Sequence, residues 1–131
     1  MNANTQQDIA KLLLRVTLGV LVLFHGIAKL KGGMGGIVHL VQAQGLPGFL
    51  GYLVLVGEVL APLMLIAGFH ARIGAALVFI NMVVAMVLVH ANELHRFNSQ
   101  GGWALELQGM FLVSALTLTL LGPGRFSANA R

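Results

Sequence analysis

Two carboxylates, one imidazole and one ammonium group stand inside otherwise apolar stretches of this chain: Glu58, Glu106, His25 and Lys29. Glu58 falls near the middle of the apolar run Phe49 to Phe69, and Glu106 lies a few residues inside another run near the C-terminus. An acid at the centre of a bilayer costs about 2.5–3.5 kcal/mol on insertion scales, so it persists where it has a partner or a task. Groups of these types can pass a proton to a bound molecule or stabilise negative charge on a carbonyl oxygen. They can equally satisfy one another as structural ion pairs. Glu58 and His25 are therefore the candidate catalytic, proton-handling residues. Lys29, Glu106, Tyr52 and Asn81 are the candidate ligand-binding residues. A metal centre of His25, Glu58 and Glu106 has no supporting spacing signature, and the Lys29 cation would oppose it, so no metal ligand is assigned.

The elements that must position these groups follow from composition. Of 131 residues, 57% are hydrophobic and 9% charged, with a mean hydropathy of +0.87. A soluble domain carries about a quarter of its residues as charges. The chain therefore reads as one small unit embedded in a lipid bilayer. Its eight Lys and Arg are scattered singly, which argues against nucleic-acid binding despite a pI near 10.4. Cysteine is absent, so the chain can neither exchange disulfides nor hold a thiolate-bound metal.

Four apolar segments of bilayer-spanning length are expected to be helices: about 12–29, 49–69, 73–91 and 103–122. The fold class is thus all-α, four transmembrane helices in an antiparallel bundle, forming a single domain over residues 1–131. The first span is read as retained, since no small-residue cleavage site follows it. Spans 2 and 3 are joined by His70-Ala71-Arg72, short enough to force a helical hairpin. Between spans 1 and 2, a glycine-rich lead-in and Ile37 to Val41 predict a short interfacial helix, ended by Gly45-Leu46-Pro47. Arg15 and Lys29 sit near the ends of span 1, where long side chains can snorkel outward. Pro62, one turn beyond Glu58, is a potential kink.

Charge counting sets the orientation. Lys11, Arg15, Arg72, Arg125 and Arg131 lie on the face that bears both termini, against Lys29, Lys31 and Arg96 on the other. The positive-inside rule makes both termini cytoplasmic. Tyr52 and Trp103 then begin the spans that enter from the outer face, as interfacial aromatics do. Glu58 falls about 14 Å deep from that face and Glu106 about 5 Å, at 1.5 Å per residue. His25 and Lys29 share one helical face at overlapping depth. At 100° per residue Glu58 shares a stripe with Gly51, Pro62 and Leu65, while Glu106 shares one with Gly109, Met110, Val113 and Thr117. Small residues beside an acid predict helix contact surfaces. Asn81 lies with Gly74, Ala85 and Asn92, so it is expected to point inward, as hydrogen-bonding glue or as part of a site. His90 falls opposite and is left out of the cluster. His39, His70 and His95 read as ordinary loop histidines.

These residues resemble a known family. Arg15-x-x-Leu18-Gly19, His25-Gly26-x-x-Lys29-Leu30, Gly45-Leu46-Pro47, Glu58, Gly68-Phe69 with Arg72, Gly101-Gly102-x-x-x-Glu106 and Gly122-Pro123-Gly124-Arg125-Phe126-Ser127 follow, in order, the pattern of the DoxX family of bacterial and archaeal membrane proteins. The family pattern carries an acid soon after that Ser, where this chain reads Ala128-Asn129. The resemblance implies a four-helix protein of the bacterial cytoplasmic (inner) membrane, of a family often linked to quinone-coupled oxidation of sulfur compounds or to oxidative-stress complexes. Three functions are then open. The first is a membrane subunit whose outer-half pocket binds a quinone or similar small molecule and works with a partner oxidoreductase that supplies the electrons. The second is a non-enzymatic scaffold whose ion pairs are structural. The third is a small proton-coupled transporter. The sequence is compatible with self-association into a homo-oligomer and points to no firm cofactor beyond the quinone.

Overall fold

A computed structural model describes residues 2–88 and 94–129, and among these it is helical apart from one β-bridge between Phe97 and Trp103. His90 and Asn92, and the expected end of span 3 at residue 91, lie outside the described residues. Helix α1 (Ala3–Gly32) begins where the Asn2 side chain accepts the Thr5 amide at 2.8 Å. Helix α2 (Gly35–Ala43) is the short connecting helix, somewhat longer than Ile37 to Val41. It closes at Gly45, whose φ of 80° suits glycine. Helix α3 (Gly48–Ala67) is composite: a 3₁₀ turn, one α turn, a π turn over Val56–Leu60, then α to Ala67. Helices α4 (Ala71–Leu88) and α5 (Glu106–Leu121) complete the bundle.

Helices α1, α3 and α4 are long and apolar enough to cross a membrane. Helix α5 is apolar but has 16 residues, about 24 Å at 1.5 Å each, and starts at Glu106 rather than at Trp103. The side chain of Asn98 causes the delay. Its Oδ1 accepts the amides of Gln100 and Gly102, both at 3.0 Å, and holds the preceding segment in a turn. Trp103 closes that turn by donating its indole N–H to the Leu94 carbonyl at 2.9 Å.

The α3–α4 hairpin spans residues 68–70, two residues earlier than the expected His70-Ala71-Arg72. Gly68 adopts the left-handed conformation (φ 73°), and the amides of Gly68 and Phe69 return to the last turn of α3. Arg72 donates to the carbonyls of Thr119 (3.3 Å) and Leu120 (3.1 Å), which makes α4 and α5 antiparallel. Arg125 pairs with Asp8 at 3.5 Å and bonds Thr5 Oγ1 at 3.0 Å, so both chain termini share one end of the bundle. Below, this is the terminal end and its opposite the far end.

The core is a narrow seam of Leu18, Val22, Ala61, Leu65, Ala75, Val78, Phe111, Ala115 and Leu118. Alanines at the crossings let the backbones approach, which is how helices gain contact in lipid. The buried stripe of α5 is Phe111, Ala115 and Leu118; Met110 and Val113, expected on the contact face with Glu106, point away from the bundle.

Arg15 departs from expectation. Instead of snorkelling, it is 1% exposed and donates to the carbonyls of Leu65 (2.6 Å), Ile66 (3.0 Å) and Phe126 (2.6 Å). The last carbonyls of α3 have no partner in their own helix and carry the negative end of its dipole, so a guanidinium is the natural cap. The C-terminal tail folds under the hairpin. Ala128 donates to Ala67 (3.0 Å) and Asn129 to Gly68 (3.2 Å), and Asn129 Oδ1 accepts the His70 amide (2.9 Å). Asn129, near where the family pattern carries an acid, thus serves the hairpin, and Arg125 takes Asp8 as its acidic partner.

Candidate functional site

The site starts from a proline. Pro62 has no N–H to give to the Glu58 carbonyl four residues earlier, and its ring would crowd that carbonyl in a regular helix. The helix widens to accommodate this, with the Ala61 amide reaching back five residues to the Val56 carbonyl. A π turn adds one residue to the helix, so side chains before it are turned by about 100° relative to a regular α-helix. Such turns are rare and cluster at functional sites. The spacing Glu58-x-x-x-Pro62 is the sequence signal for this turn: it predicts a kink, and the structure has a π turn with its change of register there.

Two glycines bring the neighbouring helices onto this turn. A Cβ on Gly26 would overlap the Glu58 carbonyl, so α1 lies backbone-to-backbone against the π turn. A Cβ on Gly57 would stand 2.5 Å from the Asn81 Cβ, so α4 approaches equally closely from the other side. Gly26 positions the site without touching the carboxylate, and its place directly after His25 was its only sequence signal.

Within this crossing, Glu58 is 2% exposed. Lys29 Nζ donates to both carboxylate oxygens at 2.5 Å, and Asn81 Nδ2 donates to Oε2 at 3.0 Å. Asn81 is itself buried, whereas a third of the Lys29 side chain is exposed. A buried charge is tolerable when it is paired and its remaining lone pairs are bonded, and all three contacts serve that end.

The polar trio forms one wall of a cavity of about 550 Å³. The rest of the lining is aliphatic, including Leu40 and Val41 of α2, Leu50 and Leu53 of α3, and Ile80 and Val84 of α4. Small-molecule sites are typically concave, mostly apolar, of roughly 300–1,000 Å³, with a few placed polar groups.

The other expected site residues lie elsewhere. His25 is exposed, its Nδ1 lies 3.1 Å from the Leu21 carbonyl, and its ring meets Phe111 edge-on at 5.6 Å. It borders a second, shallower hollow of about 500 Å³, which Lys29 also lines. Glu106 is exposed in the first turn of α5 and accepts from Asn98 Nδ2 at 3.2 Å. Tyr52 is 53% exposed and outside the cavity lining. Among the described residues no hydrogen bond joins His25, Glu106 or Tyr52 to Glu58, and no three His, Asp or Glu side chains converge. Lys29, expected at overlapping depth, and Asn81, expected on the inward face of its helix, both contact Glu58. The depth estimate misled for Glu106 because α5 begins later and is rotated relative to the ideal wheel.

Replacing Pro62 by alanine is expected to restore an N–H donor at position 62 and relax the π turn. Alanine is about 3 kcal/mol better than proline inside a helix, which offsets much of the cost of separating Lys29 from Glu58, so overall stability is not expected to fall steeply. The Lys29–Glu58 contact is expected to be lost by rotation. Thermal unfolding in detergent, together with the infrared carboxylate band that vanishes in Glu58→Gln, checks both halves of that expectation.

Comparison with known proteins agrees with this architecture. The DoxX family model matches residues 10–91. The chain is 28% identical over 125 residues to "Putative oxidoreductase CatD" of Bacillus subtilis (strain 168), covering 95% of this chain and 87% of that protein. It is 30% identical over 124 residues to "Inner membrane protein YqjF" of Escherichia coli (strain K12), covering 94% of this chain and 92% of that one. No solved structure matches. With its model spanning the first three membrane helices and a relative aligned along nearly its whole length, the chain belongs to the DoxX family of membrane proteins.

Proposed function

We propose that the pocket holds a lipid-soluble, carbonyl-bearing molecule of quinone type, and that the chain is the membrane subunit of an oxidoreductase whose partner supplies the electrons. The observation that carries this reading is a buried, triply bonded carboxylate in the wall of an otherwise aliphatic cavity of about 550 Å³. The residues present fit such a group: the aliphatic walls suit the ring and tail, and the polar trio suits the carbonyl. Each electron taken up at a quinone carbonyl is matched by a proton, which is the chemistry such a cofactor supplies when bound. Glu58 is the group placed to hold and return that proton. Lys29 can stabilise negative charge on the carbonyl oxygen, and Asn81 orients the carboxylate. His25, one turn along α1 from Lys29, is the outer member of the proton-handling set. The word "oxidoreductase" in the CatD name and "inner membrane" in the YqjF name support a redox role in the bacterial cytoplasmic membrane. The excess of Lys and Arg on the terminal end supports cytoplasmic termini.

One observation favours a second reading. The Glu58 carboxylate already has three donors from within the chain, so the trio can serve as a lock that fixes three helices in a scaffold. Glu58→Gln separates the two. For a binding site, retention of a short-chain benzoquinone by the purified protein is expected to fall at least tenfold, about 1.4 kcal/mol. For a lock, the bundle loses stability while quinone retention per folded molecule is unchanged.

A further inference from the structure

Lys29, together with the aliphatic Ile37 and Leu40 of α2, lines both hollows at the far end of the bundle. On one side is the aliphatic cavity. Its lining residues Leu53, Ile80 and Val84 are 59%, 56% and 42% exposed, so its mouth between α3 and α4 faces the lipid. On the other side is the shallower hollow bordered by His25, Ala28 and the glycine-rich turn Gly32-Gly33, at the end of α1, where chain and water meet. Glu58 lines the aliphatic cavity but not the shallower hollow, and Lys29, whose side chain is one-third exposed, is the polar group shared by the two.

Toward the terminal end the path is closed. Below Glu58 the bundle is filled by Val22, Ala61, Leu65, Ala75 and Val78, all without exposed surface, and the next polar group, Arg15, is spent on backbone carbonyls. Among the described residues, the polar groups that face Glu58 are Lys29 from α1 and Asn81 from α4. α2 presents only the aliphatic Ile37, Leu40 and Val41 to the cavity, and Glu106 of α5 is engaged by Asn98 instead.

We propose that Lys29 is the partition between a lipid-facing pocket and a water-facing crevice, and that Glu58 exchanges its proton with water only at the far end of the bundle, past Lys29. Any reaction that takes up or releases protons at Glu58 would then do so on the membrane face opposite the chain termini. The significance of that sidedness rests on the pocket reading above; the partition itself does not.

The chain has no cysteine, so single thiols report access cleanly. Ala28→Cys places a thiol in the crevice, and Ala85→Cys places one in the pocket. Each variant is reconstituted into sealed phosphatidylcholine vesicles, sorted by whether an N-terminal tag is outside. Each is then treated with a charged, membrane-impermeant maleimide or with a lipid-soluble one. The expected result is that Ala28→Cys reacts with the impermeant reagent from the far side only. Ala85→Cys is expected to react only with the lipid-soluble reagent. Adding Lys29→Ala to Ala85→Cys is expected to raise its reaction with the impermeant reagent at least tenfold, from the far side. Thermal unfolding in detergent shows whether that double variant is folded, and if it is not, the Ala28→Cys result stands as the test. The proposal is overturned if Ala28→Cys reacts from the terminal side or not at all. It is also overturned if Ala85→Cys reacts with the impermeant reagent while Lys29 is intact, or if the folded double variant stays closed. A short-chain benzoquinone that fails to protect Ala85→Cys from the lipid-soluble reagent would remove the quinone reading and leave the partition standing.

Discussion

Replacing Lys29 by alanine is expected to lower the stability of the bundle by about 3–5 kcal/mol, the cost of leaving a buried carboxylate without its counter-charge. Glu58 is 2% exposed, and Asn81 supplies only one neutral donor once the ammonium is gone. The carboxyl would then have to take up a proton or drag water into the crossing. The double variant Lys29→Met with Glu58→Gln is expected to recover most of the loss, because it removes both charges and leaves Asn81 a neutral acceptor. A double-mutant cycle on thermal or denaturant unfolding in one detergent measures the coupling. Destabilisation of the double variant equal to the sum of the Lys29→Met and Glu58→Gln singles would mean the pair contributes little.

Arg15→Ala is expected to be comparably severe, by about 4 kcal/mol or more, through a different mechanism. The carbonyls of Ile66 and Phe126 lose the donor that Arg15 supplies, in a partly buried setting, and the buried Leu65 carbonyl keeps only the Gly68 amide. Each unsatisfied buried acceptor costs about 1–3 kcal/mol. The damage is local to the terminal end. The tail from Gly122 onward, held under the hairpin by Arg15 and by the amides of Ala128 and Asn129, is expected to detach. Trypsin cleavage after Arg125 should accelerate accordingly, while the Lys29–Glu58 contact about 20 Å away along α1 persists. Arg15→Lys is expected to recover only part of the loss, since an ammonium cannot present the planar fork that reaches the α3 carbonyls and the tail together.

How far each of these residues was legible in the sequence follows from what their placement depends on. Apolar segments are local properties, so α3 and the start of α4 lie within about two residues of the expected spans and α2 ends just before the expected Gly45, whereas α1 begins at Ala3 instead of near residue 12. The inward faces of Glu58 and Asn81 were also legible, because small neighbours such as Gly57, Ala61 and Gly74 mark contact surfaces on any helix. Glu106 was not legible. Its position depends on when α5 starts, and that is decided by hydrogen bonds from Asn98 across the turn. His25 has the expected depth but faces Phe111, because Gly26 next to it occupies the crossing with α3. Arg15 was read as a membrane-edge cation. Its actual partners are carbonyls about 50 and 111 residues away in sequence, which no local pattern reveals. The cavity itself arises from three helices and a register change at Pro62, so it exists only at the level of packing.

The central claim is that the Lys29–Glu58–Asn81 wall faces a bound, lipid-soluble carbonyl compound. A photoreactive azidoquinone, illuminated with the protein in native membranes and mapped by mass spectrometry, tests it most directly. The expected result is labelling of the pocket walls, at Leu53, Ile80 or Val84, that is competed by unlabelled benzoquinone and falls at least tenfold in Glu58→Gln. Labelling spread over the lipid-facing surface, or pocket labelling indifferent to Glu58→Gln and to competitor, would contradict it.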